Sequence, residues 1–196
     1  MTTPTRKADF RTLRRKGTEY RPREYLTEAE VGRLIEAARR RGRNGIRDVA
    51  AILLAYRHGL RASELCALRW SQIDLKAGRL HVNRAKGGQP TVHPLHCPEL
   101  RALRPLKNGS EYVFLTEAGT PTTTAWFLRM IQRTGVAAGL PFSVHPHMLR
   151  HSCGFKLAND GQDTRSVAHY LGHRNLQSTA RYTALAPGRF KDFWKD

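Results

Sequence analysis

The sequence predicts a mainly α-helical domain with a small antiparallel β-sheet inserted, an α+β fold. Three observations carry that expectation. Apolar residues recur at helical spacing early in the chain, as Val31, Leu34, Ile35 and Ala38. The middle then switches to short extended runs separated by Ala77-Gly78 and by Lys86-Gly87-Gly88-Gln89-Pro90, the punctuation of hairpins. Helical patterning returns beyond residue 123 and continues to residue 184. With 196 residues, 40% of them apolar, the chain can bury one real core.

The elements follow in order. Residues 1–24 read as a basic arm, with Arg14, Arg15 and Lys16 at its centre and no apolar periodicity. Such an arm either tracks a nucleic-acid backbone or is simply a solvated tail. The folded domain is expected over 25–186. Thr27-Glu28-Ala29-Glu30 fits a capping box, where the threonine accepts from the first turn and the glutamate reaches back. A second helix is expected from Ile46 to His58, closed by Gly59. Its interior, Val49 to Ala55, is apolar nearly all round, which places it centrally. A short third helix starts near Ala62 and stops before Trp70. Strands are expected at Ile73–Leu75, Arg79–Val82 and Thr91–Leu95, with a further extended piece at Tyr112–Leu115. Helices follow at 123–138, 147–159, 163–171 and 176–184. His145-Pro146 forms the entry to one of them, because a residue before proline avoids helical geometry. The segment 187–196 carries Phe190, Phe193 and Trp194, an apolar cluster.

The formal net charge is +18, which implies a polyanionic partner. DNA, RNA and an anionic membrane each satisfy it. Arginine exceeds lysine, which favours bidentate phosphate contacts. No apolar run approaches the roughly 20 residues of a membrane span, and no basic amphipathic helix with a broad apolar face is visible, so no membrane partner is expected. Without an apolar signal-peptide core between Met1 and Phe10, a cytoplasmic, nucleoid-associated protein is expected. Cys66, Cys97 and Cys153 are widely spaced and odd in number, which argues for buried reduced thiols rather than disulfides or zinc. His145, His147, His151 and Cys153 cluster, but only His147 and His151 share the i, i+4 spacing of helical metal ligands. No metal or cofactor is expected.

The chemistry-bearing residues concentrate late in the chain as His147-Met-Leu-Arg150, Leu171-Gly-His173 and Arg181-Tyr182-Thr, with Gly59-Leu-Arg61-Ala-Ser-Glu64-Leu upstream. Phosphodiester cleavage needs an in-line nucleophile, charge on the non-bridging oxygens, and a proton for the leaving oxygen. Arg61 and Arg150 can each fork onto phosphate oxygens and supply fixed positive charge. His147 shares a helix face with Arg150 and can accept a proton from tyrosine, while His173 can donate to the phosphate. Tyr182 is a plausible nucleophile because its phenolate leaves easily, which keeps a covalent intermediate reversible. Lys86, on a glycine-rich hairpin tip, can reach the leaving 5′ oxygen as a general acid. Glu64 can hold the Arg61 guanidinium. Arg84, Arg174 and Arg181 join Arg14, Arg15 and Lys16 as expected DNA contacts. Each residue alone is weak evidence; the ordered set points to DNA strand breakage and rejoining.

That set, Arg61 in Gly-Leu-Arg-Ala-Ser-Glu-Leu, then Lys86, His147-x-x-Arg150, Leu-Gly-His173 and Tyr182, resembles the tyrosine recombinase (phage integrase) family from about Tyr25 to Thr183. The stretches His58 to Cys66 and Val144 to Phe155 are especially similar to the fimbrial phase-variation switch recombinases. The resemblance implies the catalytic-domain fold of that family and a 3′-phosphotyrosine intermediate on Tyr182, formed without metal or nucleotide. It also implies a homo-tetramer on paired double-stranded DNA sites with inverted repeats, helped by accessory DNA-bending proteins, with the 187–196 segment packing on a neighbouring protomer; packing on its own core is the alternative. Inversion of a promoter-bearing segment is the expected outcome. Integration or excision of a mobile element, a topoisomerase-like relaxation, and a non-catalytic DNA-binding regulator on the same fold are the alternatives.

Overall fold

The computed structural model describes residues 24–84, 89–173 and 175–184, without the side chains of 181, 183 and 184. Arg14, Arg15, Lys16, Lys86, Arg174 and the 187–196 segment, which the sequence reading singled out, lie outside the described residues, as does the side chain of Arg181.

Helix α1 spans Glu28–Arg39, and its N-terminus is the predicted capping box: Thr27 accepts from the Glu30 amide, and the Glu30 carboxylate takes the Thr27 amide at 2.8 Å. Helix α2 spans Gly45–Arg57, followed by Gly59 in the left-handed region at φ 57°. Ala50, Ala51, Ile52, Leu54 and Ala55 of α2 are all essentially inaccessible. The reason is topological: α2 packs against α1, against α4 (Cys97–Leu103) and against α6 (Pro146–Asn159), so the middle of the helix is covered on all sides while Ile46 in its first turn stays exposed. Each fully buried leucine or isoleucine in such a setting contributes about 1.5–3 kcal/mol of transfer free energy.

Helix α3 (Ala62–Cys66) leads into a three-stranded antiparallel sheet of order β1 (Ile73–Asp74), β2 (Arg79–Val82) and β3 (Thr91–Pro94). The register pairs Leu80 with His93 and Val82 with Thr91, so these four side chains face the core. Helices α5 (Thr124–Ala137), α6, α7 (Thr164–Leu171) and α8 (Gln177–Ala184) complete the domain. The last three pack on one another around Phe155, Val167, Leu171 and Tyr182, a small apolar cluster beside the main core.

The α+β reading holds, with three corrections. Helix α4 was not anticipated, because its cap is His96 rather than Ser, Thr, Asp or Asn. Its signal was Pro98 in the first turn and Glu99, whose carboxylate accepts the His96 amide at 2.9 Å. The Tyr112–Leu115 stretch forms no strand; it makes single bridges from Tyr112 to Arg69 and from Leu115 to Pro121. Cys97 is exposed, whereas Cys66 and Cys153 are buried as expected. Among the described residues, no helix is long and apolar enough to cross a membrane.

Candidate active site

The N-terminal half of α6 forms the floor of a cleft of about 310 Å³ lined by His145, His147, Arg150, His151, His173 and Tyr182, among others. The local reasons are legible. His145 is extended, with ψ 159°, and Pro146 opens the helix, so His147, Arg150 and His151 fall on successive turns of one face. Gly172 closes α7 in the left-handed region at φ 65°, which turns the chain so that His173 faces the same cleft. Six of the residues singled out from sequence or weighed beside them thus meet in one protomer.

Arg150 is 4% exposed, and its guanidinium is anchored before any substrate arrives. One Nη donates to the Leu171 carbonyl at 2.6 Å and the other to the Gly59 carbonyl. A guanidinium has five N–H donors, so the remaining ones can serve an anion in the cleft. Burial, then the neighbouring Arg61 and Arg84, pull the Arg150 pKa down to about 10, still fully protonated at neutral pH. Arg61 does not line the cleft wall, but its charge is felt by both Arg150 and His173. Its guanidinium donates to Glu64 Oε1 at 2.7 Å, and its amide donates to Glu64 Oε2 at 2.9 Å. The Glu64 side chain, 3% exposed, is the support expected of it.

Arg84 requires a correction. It was expected to touch DNA, yet its side chain is wholly inaccessible. It donates to Glu64 Oε2 at 3.2 Å, to the His58 carbonyl at 3.1 Å and to the Tyr170 carbonyl. Glu64 therefore sits between Arg61 and Arg84, and Arg84 ties the end of α2 to the end of α7. Both Nη atoms are thus engaged and Nε is buried without a partner, so in this structure the guanidinium is a structural strut closed off from a phosphate.

His173 is half-buried, and its Nδ1 lies 2.7 Å from Thr179 Oγ1 of α8. Burial and the positive charge of Arg150 and Arg61 lower its pKa to about 4, so the ring is neutral at pH 7. A Thr179 hydroxyl that donates to Nδ1 leaves the ring proton on Nε2, the form that can donate to a phosphate oxygen; the opposite tautomer would reverse this contact.

Tyr182 is 1% exposed. Its ring lies flat on the backbone of α6 at Gly154, where an added Cβ would sit 2.5 Å from Cε2. Phe155 meets it edge-on at 5.1 Å between centroids. Its hydroxyl lies 2.8 Å from Nδ1 of His151.

Comparison with known proteins now decides the family. The model of the family described as "Phage integrase family" matches residues 24–189. The chain belongs to that family. It is a site-specific tyrosine recombinase by homology. Over 180 residues it is 45% identical to type 1 fimbriae regulatory protein FimB of Escherichia coli K12, covering 88% of this chain and 90% of that one. FimE of the same strain is 41% identical over 182 residues, covering 88% and 91%. Among solved structures, XerA recombinase superposes with a TM-score of 0.74 at 29% identity, covering 86% of this chain and 63% of that one. A lambda integrase dimer bound to a COC′ core site gives 0.67 at 25% identity, covering 88% and 62%. The chain thus spans nine-tenths of its fimbrial relatives but less than two-thirds of these recombinases of solved structure.

Two features of the recombinase site escaped the sequence reading. Thr179 carried no signal, because a threonine in a polar helix is ordinary. Gly154 was passed over in the same way. A buried polar network behind the site was equally invisible. In it His58 Nε2 meets Glu99 Oε1 at 2.5 Å, His58 Nδ1 meets His93 Nδ1 at 3.2 Å, and Tyr170 stacks on His93 at 3.9 Å. It links β3 to α2, α4 and α7 beneath the carbonyls that hold Arg84. Among the described residues, no group of three His, Cys, Asp or Glu is placed to hold a metal ion.

Proposed function

We propose that this recombinase inverts a promoter-bearing DNA segment flanked by inverted repeats and thereby switches fimbrial genes on and off. The observation that carries the reading is the meeting of Arg150, His173 and Tyr182 around one cleft, in a chain that aligns along nine-tenths of FimB. Arg61 and Arg150 hold the scissile phosphate. Neutral His173 donates to a non-bridging oxygen. Tyr182 Oη attacks phosphorus, forming a 3′-phosphotyrosine as the bond to the 5′ oxygen breaks, and Lys86 protonates that oxygen. The free 5′ hydroxyl of the partner strand reverses the step on the new strand. Arg14, Arg15, Lys16, Arg174 and Arg181 neutralise backbone phosphates, and four protomers act on two paired sites, with accessory proteins bending the DNA between them. The reaction conserves bond energy in the phosphotyrosine, so it needs no nucleotide.

The test is expression of wild type and Tyr182→Phe separately in the native host, followed by long-read sequencing of both genomes. A segment between inverted repeats that flips only with wild type supports the reading and identifies the site. A segment excised or inserted instead moves the reading to mobile-element integration. No rearrangement with either protein counts against it.

A further inference from the structure

We propose that His151, the residue immediately after the anion-holding Arg150, is the catalytic base that accepts the proton of Tyr182. This deepens the recombinase reading and rests on it. By sequence alone that role falls to His147, which shares a helix face with Arg150. The structure gives His151 the better position: its Nδ1 stands 2.8 Å from Tyr182 Oη, within hydrogen-bond reach of the atom that must lose a proton. The contact is buried on the tyrosine side, where Gly154 and Phe155 hold the ring, so the hydroxyl is aimed rather than free to rotate. His147 sits one turn earlier and is exposed, its ring centroid 6.4 Å from that of His151.

The geometry also explains why two adjacent residues of α6 can have separate tasks. Arg150 points inward, to the carbonyls of Gly59 and Leu171, and offers its remaining donors to the phosphate. His151, about 100° further round the helix, reaches the nucleophile instead. The bonds and protons balance. The O–H bond of Tyr182 breaks and an N–H bond forms at His151 Nδ1, while the oxygen electron pair becomes the new P–O bond. The bond from phosphorus to the 5′ oxygen breaks, and that oxygen takes its proton from Lys86. The resulting imidazolium lies beside the phosphodiester and returns its proton to Tyr182 when the partner strand displaces the link. For this, His151 must begin neutral with its proton on Nε2.

The experiment uses His151→Gln, which keeps a side-chain acceptor but cannot take up a proton. The substrates are nicked duplexes bearing the half-site recovered from the genomic inversion, one natural and one with sulfur replacing the bridging 5′ oxygen. On natural DNA, His151→Gln is expected to form the covalent adduct about 100-fold more slowly than wild type or worse. Binding should be unchanged, and the rate should recover partly as pH rises. On the sulfur duplex, whose leaving group needs no proton, Lys86→Ala should recover while His151→Gln stays slow. A glutamine variant as fast as an active wild type overturns the role of His151 alone. So does rescue of that variant by the sulfur duplex, which would place the defect at the leaving group. Wild type forming no adduct on either duplex overturns the recombinase reading as well. Nitrogen-15 histidine spectra of the free protein give a second readout: Nδ1 of His151 found carrying the proton of a neutral ring would overturn the proposal.

Discussion

Replacing Gly154 with alanine tests whether the seat of Tyr182 on α6 sets its reactivity. The new Cβ would lie 2.5, 2.6 and 2.9 Å from Cε2, Cδ2 and Cζ of Tyr182, and contacts under 3.0 Å do not persist. The helix cannot yield easily, since Met148, Leu149, Ser152 and Cys153 bury its inner face. The ring must therefore move, by about 1 Å, and a displacement of that size from the productive geometry typically costs about 100-fold in rate. Stability changes less. Overpacking costs about 1–3 kcal/mol, while alanine gains about 1 kcal/mol over glycine in a helix. The net loss is roughly 0–2 kcal/mol, a fall in Tm of no more than about 8 °C for a chain of this size. The assay is covalent adduct formation on a nicked half-site duplex, with DNA binding and thermal unfolding measured in parallel. Adduct formation at the wild-type rate, in a folded Gly154→Ala protein, would show that the packed position of the ring has no bearing on its reaction.

Three further outcomes are expected. Arg84→Ala leaves Glu64 without one of its two arginines and removes the Arg84 donors from the His58 and Tyr170 carbonyls, while the Gly59 carbonyl keeps Arg150; it should cost about 3–5 kcal/mol in urea unfolding. The salt dependence of DNA binding by any folded fraction should stay unchanged, whereas loss of a true phosphate contact would lower the slope by about one. Thr179→Val removes the hydroxyl that sets the His173 tautomer and should slow adduct formation roughly tenfold, about the worth of one hydrogen bond. Thr179→Ser should restore the rate, and an unaffected valine variant would dissociate Thr179 from the reaction. Finally, burial, then His58 and Arg84, hold His93 neutral down to about pH 3, against an ordinary 6.5 in the unfolded chain. Below 6.5 the unfolded state takes up a proton that the folded state refuses, so this histidine makes stability fall as pH drops from 6.5 toward 3. Above that window it adds no slope. Its own part is isolated as the difference between wild type and His93→Asn in urea midpoints from pH 8 to 4; a difference that does not change with pH would refute the assignment.

What the amino-acid sequence determined alone was everything written in local periodicity or in an ordered motif. The capping box at Thr27 and Glu30, the apolar α2, the glycine stop at Gly59 and the hairpin at Ala77-Gly78 are short-range events, and each was legible. The ordered pattern of His147, Arg150, His173 and Tyr182 could be read along the chain, and these four side chains line one cleft; of them only His147 and Arg150 share a helix, so their meeting depends on how α6, α7 and α8 pack. Tertiary structure decided which of several similar side chains reaches which atom. Arg84 and Arg150 are indistinguishable as arginines. One is closed off by Gly172, Glu64 and three carbonyls, and the other opens onto the cleft, because burial depends on elements distant in sequence. His147 and His151 likewise share a helix face. Only the placement of α8, which brings Tyr182 across α6 at Gly154, determines that His151 meets the hydroxyl.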